Sequence, residues 1–289
     1  MQAFEYTAPK SLEEALFLLD EKSESSRVLA GGTDLLVQMR GGRWNVDRIV
    51  DVKHIPELNE ISYTQGGELR IGASVSCCRI YEDSNIVSAF PGLIDAAGLI
   101  GGIQIQGRAT LGGNLCNAAP SADGVPPMMV LGARCLIAGP QGTREIAVQD
   151  FCTAPGKNVL QKGEMLVSIR LPAPVPSSGA HYLRFIPRNE MDIAVAGVGA
   201  SIVLNGGGDR LLSARVALAS VGPTPIMLDN LDVEGQPIDD STIQKVAEAA
   251  RAAAKPISDM RGTIEQRLHL VEVLTRRALQ GAIRRARGG

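Results

Sequence analysis

The chain has 289 residues, of which 45% are hydrophobic and 21% charged, a balance that excludes disorder over the whole length and allows one large domain or two to three modest ones. Its 29 basic and 31 acidic residues leave a formal net charge of −2, and aromatics make up 3%, so there is no basic, base-stacking surface for a nucleic acid. No stretch approaches the roughly 20 apolar residues that a membrane-spanning helix needs.

In chain order, Met1 to Lys10 shows no basic region followed by an apolar run, so no signal peptide is expected. Ser11-Leu12-Glu13-Glu14 has the pattern of a capping box, and Leu12, Ala15, Leu16 and Leu19 then recur at helical spacing. Arg27 to Ala30 reads as a strand that runs straight into Gly31-Gly32-Thr33-Asp34, with a second apolar stretch from Leu35 to Met39 and a strand at Ile49 to Val52. This alternation predicts a small α/β lobe ending near His54 and Pro56. Leu69 to Ala73, Arg134 to Ala138, Arg144 to Val148 and Met165 to Leu171 read as strands of a mixed sheet, with helical stretches at Gly92 to Gly102 and Ala122 to Leu131. Pro172 to Ser178 is the clearest linker. Beyond it, strands at His181 to Ile186, Ile193 to Leu204 and Arg215 to Val221 precede helices around Ser241 to Ala254 and Thr263 to Arg285. The fold class expected is therefore α+β.

Two glycine segments stand out. Leu29-Ala30-Gly31-Gly32-Thr33-Asp34-Leu35-Leu36 sits at a strand-to-helix junction, where paired glycines let backbone N–H groups approach a phosphate closely. Taken alone it is equally an ordinary tight turn with Thr33 as a cap; it is neither a Walker loop nor a GxGxxG. The second, Arg108 to Asn114 continuing through Cys116 to Asp123, crowds small residues, amides, hydroxyls and one carboxylate together. Its plain alternative is a Gly/Asn/Ser loop. Together the two segments suit a polyhydroxylated, diphosphate-bearing nucleotide.

Five cysteines, Cys77, Cys78, Cys116, Cys135 and Cys152, make no CxxC pair, so neither a disulfide framework nor a zinc ribbon follows, and the compartment expected is reducing and cytoplasmic. Cys77-Cys78 reads as two small buried residues rather than a redox pair. His54, His181 and His269 have no carboxylate at ligand spacing and read as structural or surface residues. No nucleophile or acid–base set assembles, so no catalytic residue is named. Arg276, Arg277, Arg284, Arg285 and Arg287 read as a solvated helix face, with docking to an acidic partner as the sharper alternative.

Ala30-Gly31-Gly32-Thr33-Asp34-Leu35, Thr110-Leu111-Gly112-Gly113-Asn114 and Ser121-Ala122-Asp123 resemble the paired FAD-binding signatures of the medium subunit of molybdenum hydroxylases, the xanthine dehydrogenase and aerobic carbon monoxide dehydrogenase family. Ser11 to Ala15 is similar to that family's first helix, and Arg188 to Ala194 to the opening of its C-terminal domain. The resemblance implies a PCMH-type FAD-binding fold over 1–176, with lobes of about 1–56 and 57–176, followed by a carbon monoxide dehydrogenase flavoprotein-like domain over 180–286. It implies non-covalent FAD, with Ala30, Gly31, Gly32, Thr33 and Asp34 at the pyrophosphate, Thr110, Gly112, Gly113 and Asn114 running along the cofactor toward the flavin ring, and Leu29, Leu35, Ala109, Ala118 and Ser121 among the binding residues. Asp123 would take ribityl or adenosine hydroxyls, and Ile100 and Gly101 would lie near the isoalloxazine. Arg184 stands where several relatives carry a lysine, and the two present charge differently.

The same resemblance implies partners: a large molybdopterin subunit that oxidises the substrate and a small subunit with 2Fe–2S clusters, assembled as a heterotrimer doubled into a hexamer. Electrons would reach FAD from those clusters and leave to NAD, a quinone or another acceptor. The chain lacks the cysteine-bearing insertion of the 4-hydroxybenzoyl-CoA reductase branch, and no metal is expected in it. The alternatives are a stand-alone PCMH-type flavin reductase or oxidase and a scaffold subunit without cofactor.

Overall fold

A computed structural model describes every residue except Met1, Ser23, Asp229 and Gly289. Met1, which opens the expected first domain, thus lies outside the described residues. The N-terminal lobe runs β1 (Glu5–Thr7), α1 (Leu12–Glu21), β2 (Ser26–Leu29), α2 (Leu35–Arg40) and β3 (Arg48–Asp51). β3 lies between β1 and β2 and both pairings are parallel, as strands joined through helices require. The expected cap of α1 is present: Ser11 Oγ accepts from the Glu14 amide at 3.2 Å, while the Glu14 carboxylate accepts from the Lys10 amide.

The second lobe opens with α3 (Pro56–Asn59), β4 (Ile61–Tyr63) and β5 (Leu69–Gly72). A helical excursion follows: α4 (Cys77–Glu82), α5 (Ser84–Ala89), α6 (Pro91–Ala97), α7 (Ile103–Gln106), α8 (Leu111–Asn117) and α9 (Val125–Val130). The chain then forms β6 (Arg134–Gly139), β7 (Gly142–Ala147), a small hairpin of β8 (Cys152–Ala154) and β9 (Lys157–Asn158), and β10 (Met165–Leu171). The five-stranded sheet is ordered β4-β5-β10-β6-β7. It was expected to be mixed but pairs antiparallel throughout, because β10 inserts between β5 and β6 and runs opposite to both. Residues of α1 and β3, including Ala15, Leu19 and Val50, pack with Met165, Val167 and Ala138 and so fix the first lobe on one face of this sheet.

The helical stretch expected over Gly92 to Gly102 ends at Ala97, and Gly101 takes a left-handed φ of 66°. After Leu171 the linker leads to β11 (Ser178–Phe185), β12 (Ala196–Leu204), β13 (Leu211–Ala219) and β14 (Ile226–Leu228), an antiparallel sheet in chain order, then α10 (Asp240–Ala253) and α11 (Ile264–Ala286). The third of these strands begins four residues before the sequence suggests, and β14 was not foreseen. Alternation divides β12 cleanly: Ala196, Val198, Ala200 and Ile202 join the core under the two helices, while Gly199 meets Pro126 and Ser201 Oγ bonds Val130 O at 2.8 Å on α9. Among the described residues no helix is long and apolar enough to cross a membrane.

A charged joint ties the C-terminal helix back to the second lobe. Arg285 on α11 grips Asp95 on α6 through two bonds of 2.6 and 2.8 Å and also donates to Ala180 O, while Asp95 accepts from the Tyr182 amide. Arg285 is therefore not part of a solvated face as expected, although Arg276, Arg277, Arg284 and Arg287 are exposed. His181, expected to lack a carboxylate neighbour, has Nε2 3.8 Å from Asp95 Oδ2. The contact joins residues far apart in sequence, which ligand spacing could not reveal. His54 and His269 are exposed.

Burial pushes the His181 pKa below its ordinary 6.5; the Asp95 carboxylate opposes this, and Arg285 and Arg284 add to it. A depressed folded pKa gives stability that is complete above the unfolded value and declines as pH falls through the folded one. The urea midpoint should therefore fall between pH 7 and pH 5, and His181→Gln should flatten that slope; an unchanged slope would assign the titration to another group.

Candidate functional site

The two glycine segments meet between the lobes. A Cβ added to Gly31 would lie 2.0 Å from Arg108 O, and one added to Gly112 would lie 2.4 Å from Ala73 O. Real Cβ atoms do not approach backbone oxygen so closely, so both positions demand glycine for space. Gly32 adds a left-handed turn at φ 76°. The second segment is not a loop but the start of α8: Thr110 Oγ1 accepts from the Gly113 amide at 2.8 Å, and Asn114 Oδ1 accepts from the Gly124 amide at 3.0 Å.

Beside this crossing lies a cleft of about 480 Å³, within the range of cofactor sites. Ala30, Gly31, Gly32, Thr33, Asp34, Leu35, Ile100, Ala109, Thr110, Gly112, Gly113 and Asn114 line it. Asp34 remains solvent-accessible, yet the protein around it holds its carboxyl above the usual carboxylate range. Two buried hydroxyls in the lining, Ser26 Oγ and Ser74 Oγ, have no hydrogen-bond partner among the described residues. Unsatisfied buried hydroxyls beside backbone that leaves no room for a side chain fit a polar ligand with many acceptors and donors, as FAD is.

Leu29, Gly101, Ala118, Ser121, Asp123 and Arg184 do not line this cleft. Leu29 packs inward with Met39, Val46 and Ile49, and Gly101 turns against Ile105. Ala118 is buried and ends α8 at φ 49°, and its neighbour Pro120 accepts from the Ser220 amide, turning the Ser121 segment toward the C-terminal domain. Asp123 and Arg184 are engaged with each other: Arg184 Nη1 donates to Asp123 Oδ2 at 2.5 Å, and Tyr182 OH donates to Asp123 Oδ1 at 2.7 Å. Burial pulls the Asp123 carboxyl upward, and the Arg184 charge and Tyr182 hydroxyl hold it back; burial also pushes the Tyr182 phenol well above its ordinary range.

Several lining residues escaped the sequence reading, among them Ser26, Arg27, Gln38, Trp44, Ser74, Asn117, Asn158 and Lys162. Side-chain bonds assemble them: within the first lobe Trp44 Nε1 donates to Gln38 Oε1 at 2.7 Å, across the lobes Gln38 Nε2 donates to Asn117 Oδ1 at 2.8 Å, and within the second Asn158 Nδ2 donates to Cys116 O at 2.8 Å. A lone tryptophan beside an arginine, just after Gly41-Gly42, was the available signal.

The family described as "FAD binding domain in molybdopterin dehydrogenase" matches residues 2–174, and "CO dehydrogenase flavoprotein C-terminal domain" matches 181–282. The chain belongs to the FAD-binding subunits of molybdopterin-dependent dehydrogenases. It is 33% identical to a xanthine dehydrogenase FAD-binding subunit of Escherichia coli over 98% of this chain and 97% of that one. It is 31% identical to the carbon monoxide dehydrogenase medium chain of Afipia carboxidovorans over 99% and 98%. The solved carbon monoxide dehydrogenase of Oligotropha carboxidovorans superposes with a TM-score of 0.93 at 30% identity, covering 98% of this chain and 99% of that one. Quinoline 2-oxidoreductase of Pseudomonas putida gives 0.90 at 30% identity, covering 99% and 98%. FAD is thus the cofactor of this chain, a flavoprotein subunit and oxidoreductase component.

Two outcomes follow from the geometry. Gly31→Val should lose FAD on gel filtration and cost about 1–3 kcal/mol of stability through overpacking, whereas Gly107→Ala, with nothing within 4 Å of its Cβ position, should be neutral. The flavin-to-protein absorbance ratio reads the difference. Burial raises the Cys77 thiol to about 12 and the Cys135 thiol higher still, so both stay protonated at pH 8. Iodoacetamide at that pH should leave Cys77 and Cys135 unmodified until urea unfolds the chain, as peptide mass spectrometry would show.

Proposed function

We propose that the chain is the electron-relay subunit of a three-part molybdenum hydroxylase. It accepts electrons from 2Fe–2S clusters of a small subunit and passes them to an external acceptor such as NAD or a quinone, while a large molybdopterin subunit oxidises the substrate. The assembly is a heterotrimer doubled into a hexamer and works in the cytoplasm. The relatives bear names such as medium chain and FAD-binding subunit, which supports the reading.

The observation that carries it is the interlobe cleft, walled by two glycine segments whose missing side chains let the backbones pass at contact distance. We assign Gly31 to Asp34 and Thr110 to Asn114 as the diphosphate and ribityl cradle, held within a domain over 1–176. Ser26 and Ser74 supply hydroxyls from the cleft wall. Asp123, Tyr182 and Arg184 fasten the domain over 180–286 beside that cradle, with Gly124 bonded to Asn114 as the connection. Bound FAD exchanges electrons singly and in pairs, so the protein supplies position and electrostatics rather than a catalytic dyad.

The purified chain should be yellow, acid should release the flavin into the supernatant, and a reduced 2Fe–2S partner subunit should bleach its visible band anaerobically. A colourless chain that takes up no FAD would overturn the reading, and a flavin that only substrate-like reductants could bleach would favour a stand-alone reductase.

A further inference from the structure

At one end of the cleft, the Trp44 indole carries two guanidinium groups, with Arg27 4.4 Å and Arg43 5.2 Å from the ring centroid. Arg27, Arg43 and Trp44 all line the cleft, and Trp44 is the sole tryptophan of the chain. Among the described residues no other aromatic side chain lines it. The ring is held in place, because its N–H is bound by Gln38, which in turn bonds Asn117 across the lobes. Arg27 donates to the carbonyls of Glu24 and Ser26, and neither guanidinium makes an ion pair among the described residues. Arg27 and Leu29 of β2 face Trp44, while Ser26 and Val28 leave the opposite face of the strand toward α1.

A flat, preorganised π–cation stack in the wall of a cleft recognises a flat heteroaromatic ring. We propose that this cluster is the anchor for the adenine of the cofactor, with Arg27 and Trp44 providing the stacking surface. The inference rests on the reading of the cleft as the FAD site. It makes the adenosine half a main source of affinity, so the site rejects flavin mononucleotide by omission of contacts rather than by exclusion.

The test uses the full chain stripped of flavin. ADP, which lacks the flavin ring, should quench or shift the single-tryptophan emission and compete with FAD. Trp44→Ala should weaken FAD at least tenfold, abolish the competition by ADP and leave the affinity for flavin mononucleotide unchanged. Trp44→Phe should recover part of the loss. An ADP-insensitive emission, or full FAD affinity in Trp44→Ala with an unaltered far-ultraviolet spectrum, would overturn the proposal. The wider reading fails separately: there, Gly31→Val also retains FAD, whereas loss of FAD in Gly31→Val with none in Trp44→Ala sinks the adenine assignment alone.

Discussion

The architecture depends on a backbone crossing. Gly31 of the first lobe touches the Arg108–Ala109 backbone of the second, so chain segments from the two lobes pass at contact distance, and within the second lobe Gly112 of α8 touches Ala73 and seats that helix. A side chain at Gly31 would push the lobes apart, and one at Gly112 would lift α8 off Ala73. The cleft exists because this contact is close on one side while α1, β3 and β10 hold the lobes together on the other. Glycine raises the conformational entropy that folding must overcome, and the sheet and helix contacts around the crossing offset it.

The C-terminal domain is attached by a different kind of force. The Asp123–Arg184 pair, with side chains 10% and 6% exposed, and the Asp95–Arg285 pair both join strands or helices of one domain to helices or loops of the other. A buried ion pair returns little net stability, since desolvation consumes most of the attraction. Its strength is angular: a guanidinium fork fits a carboxylate in few orientations. Small residues such as Gly92 against Ala180 and Gly199 against Pro126 bring the surfaces close, and the charged pairs fix their register.

Local signals were legible from sequence. The Ser11 cap, the strand before Gly31, the linker after Leu171 and the two terminal helices all form near where periodicity and punctuation put them. The start of α8 was hidden because Gly112 and Gly113 are poor helix formers; the Thr110 cap and packing against Ala73 outweigh propensity there. The antiparallel ladder was hidden because it depends on β10 returning between strands that precede it by more than 30 residues in one case and nearly 100 in the other. Asp123 and Arg184 carried the right chemistry for a ligand contact, and they bond each other, a pairing that only the folded domains create, while the buried Arg184 Nε keeps no partner among the described residues.

These features fit a protein whose two lobes are completed by its ligand. The lobes share a modest apolar seam, the Gln38–Asn117 bridge and the glycine crossing, while unsatisfied hydroxyls of Ser26 and Ser74 lie on either side of the gap. A cofactor bound in the cleft touches both lobes at once and is released on unfolding. It therefore stabilises the native state by mass action, about 2.7 kcal/mol at a free concentration a hundredfold above its Kd. That increment is comparable to the cost of the buried orphan groups it would satisfy. Sites that bind tightly can thus retain backbone and hydroxyl groups that the apoprotein alone would leave unpaired, which is how affinity for FAD and stability of the interlobe geometry become one property.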